Sequence, residues 1–269
     1  MRMYCITVDN NHYEKIKRLG YIPVGLGDKI FSKKFESDNK GDNISLKNPF
    51  YGEYSFHYWL WKNELKNLKD KEWVGFCQYR KFWSLNVDKK NYKDIDQLNK
   101  YLIKQIPETL NEYETILGNP LFINQFKPIK FFKKNFFKML KNPNLLFDKK
   151  KRNIKFHFDL MHGEGNLEKA ISLLDHEYKK DFEEYVNTEV SFNPHNMFIC
   201  NSKKILNDFY SVIFPWLERC ENNFGFNLEG YGLKRIYGFL AERFMPFWFK
   251  KNTRCTTLPI IFKDISEID

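Results

Sequence analysis

Cysteine is scarce in this chain and follows no pattern. The five cysteines (Cys5, Cys77, Cys200, Cys220 and Cys255) are odd in number, scattered and without Cys-x-x-Cys spacing. That argues against a disulfide framework and for a reducing compartment. The six histidines (His12, His57, His157, His162, His176 and His195) form no His-x-x-x-His or His-Glu-x-x-His. A zinc site therefore has no sequence support. There is no Gly-x-x-x-x-Gly-Lys-Ser/Thr loop and no Gly-x-Ser-x-Gly elbow, which leaves a P-loop ATPase and a serine hydrolase unsupported. No apolar run approaches the roughly 20 residues of a membrane-crossing helix. The opening MRMYCITVDNN turns polar too soon for a signal peptide, so a cytoplasmic protein is expected. Repeats and low-complexity linkers are also missing.

What is present is a chain able to bury a real core. Its 269 residues are 42% hydrophobic and 18% aromatic, which suits one globular domain and argues against disorder. The net charge is +10, and it is local. Lys127 to Lys155 holds eleven Lys/Arg and one acid, Asp148, while the remainder is neutral. A patch confined in this way predicts an anionic partner at one place, not general affinity for nucleic acid. Within it, FKPIKFFKKNFFKMLK puts Phe132 and Phe136 on one helical face and Lys130, Lys134 and Lys138 on the other. Two readings stand: an interfacial helix facing an anionic membrane, or a surface helix packing its Phe side on the core. The segment is read as a basic insertion at about 124–156 of a single domain spanning 1–269.

Strands alternating with helices predict an α/β fold with a mostly parallel central sheet, flanking helices and a helical C-terminal part. Strands are expected at 3–8, 21–28 and 113–120, with a further one closing 192–200. A short helix is expected at 13–19, and others at 91–107, 166–174, 205–220 (with Pro215 kinking or breaking it) and 231–249. Asp94-Ile95-Asp96 is the only Asp-x-Asp. It reads better as an acidic first helical turn than as a metal-binding pair, since Ile95, Leu98, Leu102 and Ile106 follow as an apolar stripe.

The most informative stretch runs from residue 42 to 82. Asn48-Pro49 is a helix start, with Asn48 expected to cap, and Tyr51 to Trp61 is aromatic and nearly uncharged except for Glu53. WVGFC (73–77) reads as a central strand covered on both faces. Gln78, Tyr79, Arg80 and Lys81 follow it. Ligands of open α/β sheets bind beyond the carboxyl ends of strands, where Arg80 suits a diphosphate because its fork donates two parallel N–H bonds. The plainer alternative pairs Arg80 with a structural carboxylate such as Glu53. Glu242-Arg243 in GFLAERF reads as a structural ion pair.

These pieces together resemble a bacterial family called domain of unknown function 4422, whose members look like GT-A-type glycosyltransferases of capsule and O-antigen synthesis. The matching residues are Asn43-Ile44-Ser45, Lys47-Asn48, Tyr51, Glu53, Tyr58-Trp59, Trp61-Lys62-Asn63, Gly75, Cys77, Tyr79-Arg80, Asn196-Met197-Phe198-Ile199 and Gly238 to Arg243, with His162 ahead of a Leu-rich helix. The chain departs from the pattern at Gly52 (usually Cys), Gln78 (usually His) and Lys81 (usually Arg). The resemblance implies transfer of a hexose, such as galactose, from a UDP-sugar to a hydroxyl of a lipid-linked or growing surface polysaccharide. It places Arg80, Glu242 and His162 in catalysis. Asn43, Ser45, Asn48, Tyr51, Glu53, Gln78, Tyr79 and Lys81 fall near the donor, and Asn196 and Arg243 near the acceptor. GT-A enzymes commonly hold a Mn or Mg ion on an Asp-x-Asp. Here Tyr79-Arg80-Lys81 stands at the corresponding place, so no cofactor is expected to be required, with a divalent ion as the alternative. The expected partners are the nucleotide sugar, the glycan acceptor and an anionic membrane surface at its inner face, with no nucleic acid. The competing classes are a non-catalytic basic membrane-surface protein and an RNA-binding protein using interleaved Phe and Lys.

Overall fold

The structure, a computed structural model, describes residues 1–27, 29–86, 92–125 and 151–268. The basic segment, including Lys130, Phe132, Lys134, Phe136 and Lys138, lies largely outside the described residues.

Alternating apolar residues build a central sheet buried on both faces. Its main strands are β1 (Arg2–Thr7), β2 (Ile22–Gly25), β3 (Glu36–Ser37), β4 (Val74–Gln78), β6 (Thr115–Gly118), β9 (Phe198–Cys200) and β10 (Cys255–Leu258), while β7 (Leu121–Phe122) and β8 (Ser191–Phe192) pair in a separate two-stranded sheet. The main strands lie in the order β10-β6-β9-β4-β1-β2-β3. Pairing is parallel except around β9, which runs antiparallel to both β4 and β6. The mostly parallel α/β reading is what the structure shows. Along β1, Tyr4 and Ile6 enter one core and Met3 and Cys5 the other, as period-2 alternation requires. The first core is closed by the long helices Lys203–Phe224 and Ile236–Asn252.

The helices depart from the sequence expectations in several places. Ile154–His162 and His176–Thr188 are helices beyond those expected, and the helix expected over 231–249 is interrupted at Arg235, between Tyr231–Lys234 and Ile236–Asn252. Three further departures have a local cause. The helix at Asn48–Tyr51 stops at Gly52, whose φ is 59°, and resumes at Tyr54–Trp59. Asn48 does not cap it: its Nδ2 reaches forward to donate to the Gly52 carbonyl and to Ser55 Oγ, both at 2.9 Å. The predicted helix over 91–107 shrinks to Ile95–Asn99. Beyond it the chain is drawn to the sheet edge, where Ile103 N–H donates to the Trp83 carbonyl at 3.1 Å. Pro215 does not end its helix, which runs from Lys203 to Phe224. Phe209, Tyr210, Ile213, Trp216 and Leu217 are fully buried along it, and that burial outweighs the roughly 3 kcal/mol cost of an interior proline.

The strand that, with the turn following it, contributes most residues to the cleft described below is β4. After Gln78 the chain turns at Tyr79-Arg80 and returns antiparallel as β5 (Lys81–Trp83), which pairs in turn with β11 (Ile260–Phe262). The turn is pinned on both sides. Tyr79 N–H donates to Ile6 O at 2.9 Å, and the Tyr79 and Arg80 carbonyls each accept a backbone N–H from the C-terminal segment at 3.1 Å. The tip carrying Arg80 is therefore a rigid platform.

Candidate active site

The carboxyl ends of β1, β2 and β4 meet the broken helix at Gly52 and the start of the helix Ile236–Asn252. Between them lies a cleft of about 400 Å³. Its walls include Thr7, Asn48, Glu53, Gln78, Tyr79, Arg80 and Lys81 on the sheet side. His195, Asn196, Arg235 and Glu242 form the other side. The structure thus brings together eight of the predicted residues: Asn48, Glu53, Gln78, Tyr79, Arg80, Lys81, Asn196 and Glu242.

Gln78 organises the floor. Its Nε2 donates to Glu53 Oε1 at 2.7 Å and to the His195 carbonyl at 3.1 Å, while Lys81 Nζ donates to its Oε1 at 3.0 Å. Two acceptors on the nitrogen and one donor on the oxygen leave only one orientation for the amide. Burial pushes the Lys81 ammonium below its usual pKa, against the opposing pull of Glu53 and Glu242. Arg80 differs. It is exposed, lies over the Tyr79 ring at 5.0 Å, and among the described residues has no carboxylate partner. The alternative of an Arg80–Glu53 ion pair is not what forms: the guanidinium near Glu53 is Arg235, at 3.8 Å from Oε2.

The opposite wall is held under strain. His195 and Asn196 have φ of 82° and 53°, the non-glycine residues with positive φ among those described. Such conformations cost on the order of 1–3 kcal/mol each and persist only where surroundings enforce them. Here Glu242 Oε1 accepts the His195 N–H at 2.7 Å, and Asn196 Nδ2 donates to the Gly238 carbonyl at 3.2 Å. The other oxygen of Glu242 accepts from Arg243 Nη1. Burial alone pushes Glu242 up, but Arg243 and the His195 N–H together hold its carboxyl below the usual range. Burial, with Lys81 nearby, takes the His195 imidazole down to about 4, so it is neutral at pH 7. Gly238 lets this helix approach closely, since a Cβ there would sit 3.1 Å from the Tyr51 carbonyl.

Five predicted residues stand outside the lining. Asn43 and Ser45 form a local turn, with Asn43 Oδ1 accepting from Ser45 Oγ at 2.9 Å and from its N–H. Tyr51 is buried and donates to Glu221 Oε2 at 2.8 Å, away from the cleft. His162 lies one layer behind, its ring stacked 4.0 Å from that of Phe239 and its Nδ1 3.0 Å from the Gly232 carbonyl. Arg243 is 2% exposed, spent on Glu242 and on the Phe192 ring. It is the structural ion pair its position beside Glu242 suggested, not a group that meets an acceptor. Thr7, His195 and Arg235 went unpredicted. Thr7 ends a strand, Arg235 lies between two helices and His195 sits in a turn, and only the tertiary fold gathers them.

A family described as a domain of unknown function (DUF4422) matches residues 3–253. The chain belongs to the DUF4422 family. No curated protein matches it. Among solved structures, the DUF4422 chain superposes on the apo form of WbbM, a bifunctional glycosyltransferase, with a TM-score of 0.71 at 20% identity. The match covers 98% of this chain and 45% of that one, so the chain spans less than half of the WbbM length. The fold is accordingly GT-A-like.

Folds of this kind commonly carry a divalent ion on an Asp-x-Asp, and the Asp94-Ile95-Asp96 of this chain is not placed to hold one in the cleft. Asp94 is a helix cap accepting from Gln97 N–H at 2.8 Å, and Asp96 pairs with Arg18 at 2.9 Å; neither lines the cleft. Among the described residues no group of three or more His, Cys, Asp or Glu is placed to hold a metal.

Proposed function

We propose that this DUF4422 protein is a glycosyltransferase that moves a hexose, such as galactose, from a UDP-sugar to a hydroxyl of a lipid-linked or growing surface polysaccharide. The observation that carries this reading is Arg80: a cation on a rigid strand tip, facing a cleft at the carboxyl edge of the sheet, with no carboxylate partner among the described residues. A nucleoside diphosphate leaving group develops negative charge as the glycosidic bond breaks. Fixed donors aimed at that charge stabilise it without reorganisation. Arg80 would take the diphosphate through its two-pronged fork, with Lys81 and Arg235 adding positive potential along the same wall. Asn48, Tyr79 and Asn196 offer amide and phenol groups to sugar hydroxyls. The basic segment at about 124–156 would bring such an enzyme to an anionic inner membrane surface, where its acceptor would be found.

Thermal shift against UDP-, GDP- and dTDP-sugars tests the reading. A UDP-sugar is expected to raise the Tm, and Arg80→Ala to reduce that rise while leaving the unliganded Tm unchanged. Stabilisation by RNA or anionic vesicles alone would contradict it.

A further inference from the structure

We infer that the protein carries a lipid-contact patch beside the cleft, where Ile30 and Leu46 enter the surface of an anionic membrane and Lys29, Lys33 and Lys40 meet its headgroups. The inference goes beyond the donor reading and makes no use of the basic segment at about 124–156.

Ile30 and Leu46 are the most exposed large apolar side chains among the described residues, at 93% and 94%. They belong to separate loops, yet both line one groove of about 360 Å³. Single exposed aliphatic side chains are ordinary on a protein surface. Two that converge on one groove call for a partner.

Both loops are tied down. Asn10 holds the first from either side of Phe31, its Nδ2 donating to the Ile30 carbonyl at 3.0 Å and its Oδ1 accepting from the Ser32 N–H at 3.1 Å. Phe31 itself turns inward over Gly25, where a Cβ would meet the ring at 2.3 Å, and packs edge-on against Phe35 at 5.0 Å. With the aromatic ring drawn in, the side chain of Ile30 is left in the open. The second loop is fixed by residues that stand outside the cleft. Asn43 Oδ1 accepts from the Ser45 N–H at 3.2 Å and from Ser45 Oγ at 2.9 Å, at the start of the 3₁₀ turn Ser45–Lys47. At its other end Lys47 Nζ donates to Glu221 Oε1 at 2.7 Å. Leu46 lies between these two ties, so its exposure is built in.

The charge around the two side chains has one sign. Lys29, Lys33 and Lys40 line the groove, and among the described residues no Asp or Glu does. Aliphatic tips framed by lysines suit an anionic bilayer, where apolar groups reach the acyl boundary and each ammonium is drawn to the surface charge. A folded partner protein fits less well. A stable protein interface needs about 800 Å² of matched surface on each side, and here the exposed apolar contact is two projecting side chains. The patch also adjoins the cleft: Leu26 and Asn48 line the cleft, and Gly27 and Pro49, next to them in the chain, line the groove. Docking here would set the cleft beside the membrane surface.

Co-sedimentation with vesicles of phosphatidylcholine containing about a third phosphatidylglycerol, against vesicles of phosphatidylcholine alone, tests the inference. The unmodified full chain is expected to bind the anionic vesicles and to bind the neutral ones more weakly. Ile30→Ser with Leu46→Ser should lower the affinity about tenfold or more, and Lys29→Gln with Lys33→Gln about tenfold. Both double variants should keep the Tm of the unmodified protein, since the altered side chains are exposed. An environment-sensitive fluorophore on Ile30→Cys or Leu46→Cys reads the location directly in a Cys255→Ser background, because the other four native cysteines are buried. Its emission should shift to the blue with anionic vesicles, while the same probe on Glu184→Cys, exposed on the helix His176–Thr188, should not shift. Four results would overturn the patch: no binding of the unmodified chain to anionic vesicles, affinity unchanged in both double variants, no shift at positions 30 and 46, or an equal shift at position 184. A blue shift that follows protein concentration without vesicles would also overturn it, by assigning the groove to a second copy of the chain. UDP binding is read separately, so none of these results touches the donor reading.

Discussion

At the scale of single residues, the cleft separates its charges by how tightly each is tied. Glu242 and Arg243 are locked to each other, Lys81 is tied to Gln78, and Arg80 is left open. Removing one member of a buried pair leaves a charge without compensation, typically a loss of about 3–5 kcal/mol. Glu242→Gln is therefore expected to lower stability by that order, visible as a drop in the urea midpoint, with Arg243→Ala behaving similarly. Arg80→Ala, by contrast, should leave the midpoint where it was, because nothing in the described fold depends on that guanidinium. Equal destabilisation by the two changes would mean that Arg80 is structural.

At the scale of elements, what the sequence makes legible depends on whether local chemistry or tertiary contact decides. β4 and its tip are readable because an uncharged run must be covered on both faces, and the basic residues directly after it must lie at its end. Phe76 within that strand is 1% exposed and touches the rings of His57 at 4.3 Å and Phe198 at 4.9 Å. Phe76→Ala should cost about 3–5 kcal/mol in chemical denaturation; a loss below 1 kcal/mol would show that the strand is not the centre of the core. The helix over 91–107 is misread because its apolar stripe satisfies a helix and a sheet edge equally, and the backbone bond from Ile103 to Trp83 decides for the edge. The left-handed turn at His195-Asn196 gives no sequence signal, since Asn-Pro-His-Asn is compatible with many turns. It is Glu242, distant in sequence, that imposes the conformation. Among the predicted site residues, those at strand ends and on the cleft side of the last long helix come together. Asn43 and Ser45 do not, because an Asn two residues before a Ser satisfies itself locally.

At the scale of the whole molecule, buried imidazoles couple the fold to pH. Burial takes His57 and His157 down to about 3 and His162 and His195 to about 4, from an ordinary value near 6.5. In the unfolded chain these rings take up protons as pH falls below 6.5, while in the folded protein they remain neutral to about pH 4. The unfolded state then binds more protons, so stability falls with falling pH across that window by about 1.4 kcal/mol per pH unit for each ring. Tm measured by calorimetry should be flat above pH 7 and drop steeply between pH 6.5 and 4; a flat profile through that range would contradict the buried neutral assignment. No helix among the described residues is long and apolar enough to cross a membrane.

The central claim is that side-chain cations, with Arg80 foremost, meet the diphosphate of the donor. Calorimetric titration of UDP into the unmodified protein and into Arg80→Ala, both in excess chelator, tests it most directly. The account predicts binding by the unmodified protein without any divalent ion and affinity lower by about tenfold to a hundredfold in the variant, as expected for one charge-assisted contact of about 1.5–3 kcal/mol. Binding that needs Mn²⁺ or Mg²⁺, or an Arg80→Ala protein that takes up UDP as well as the unmodified one, would contradict it.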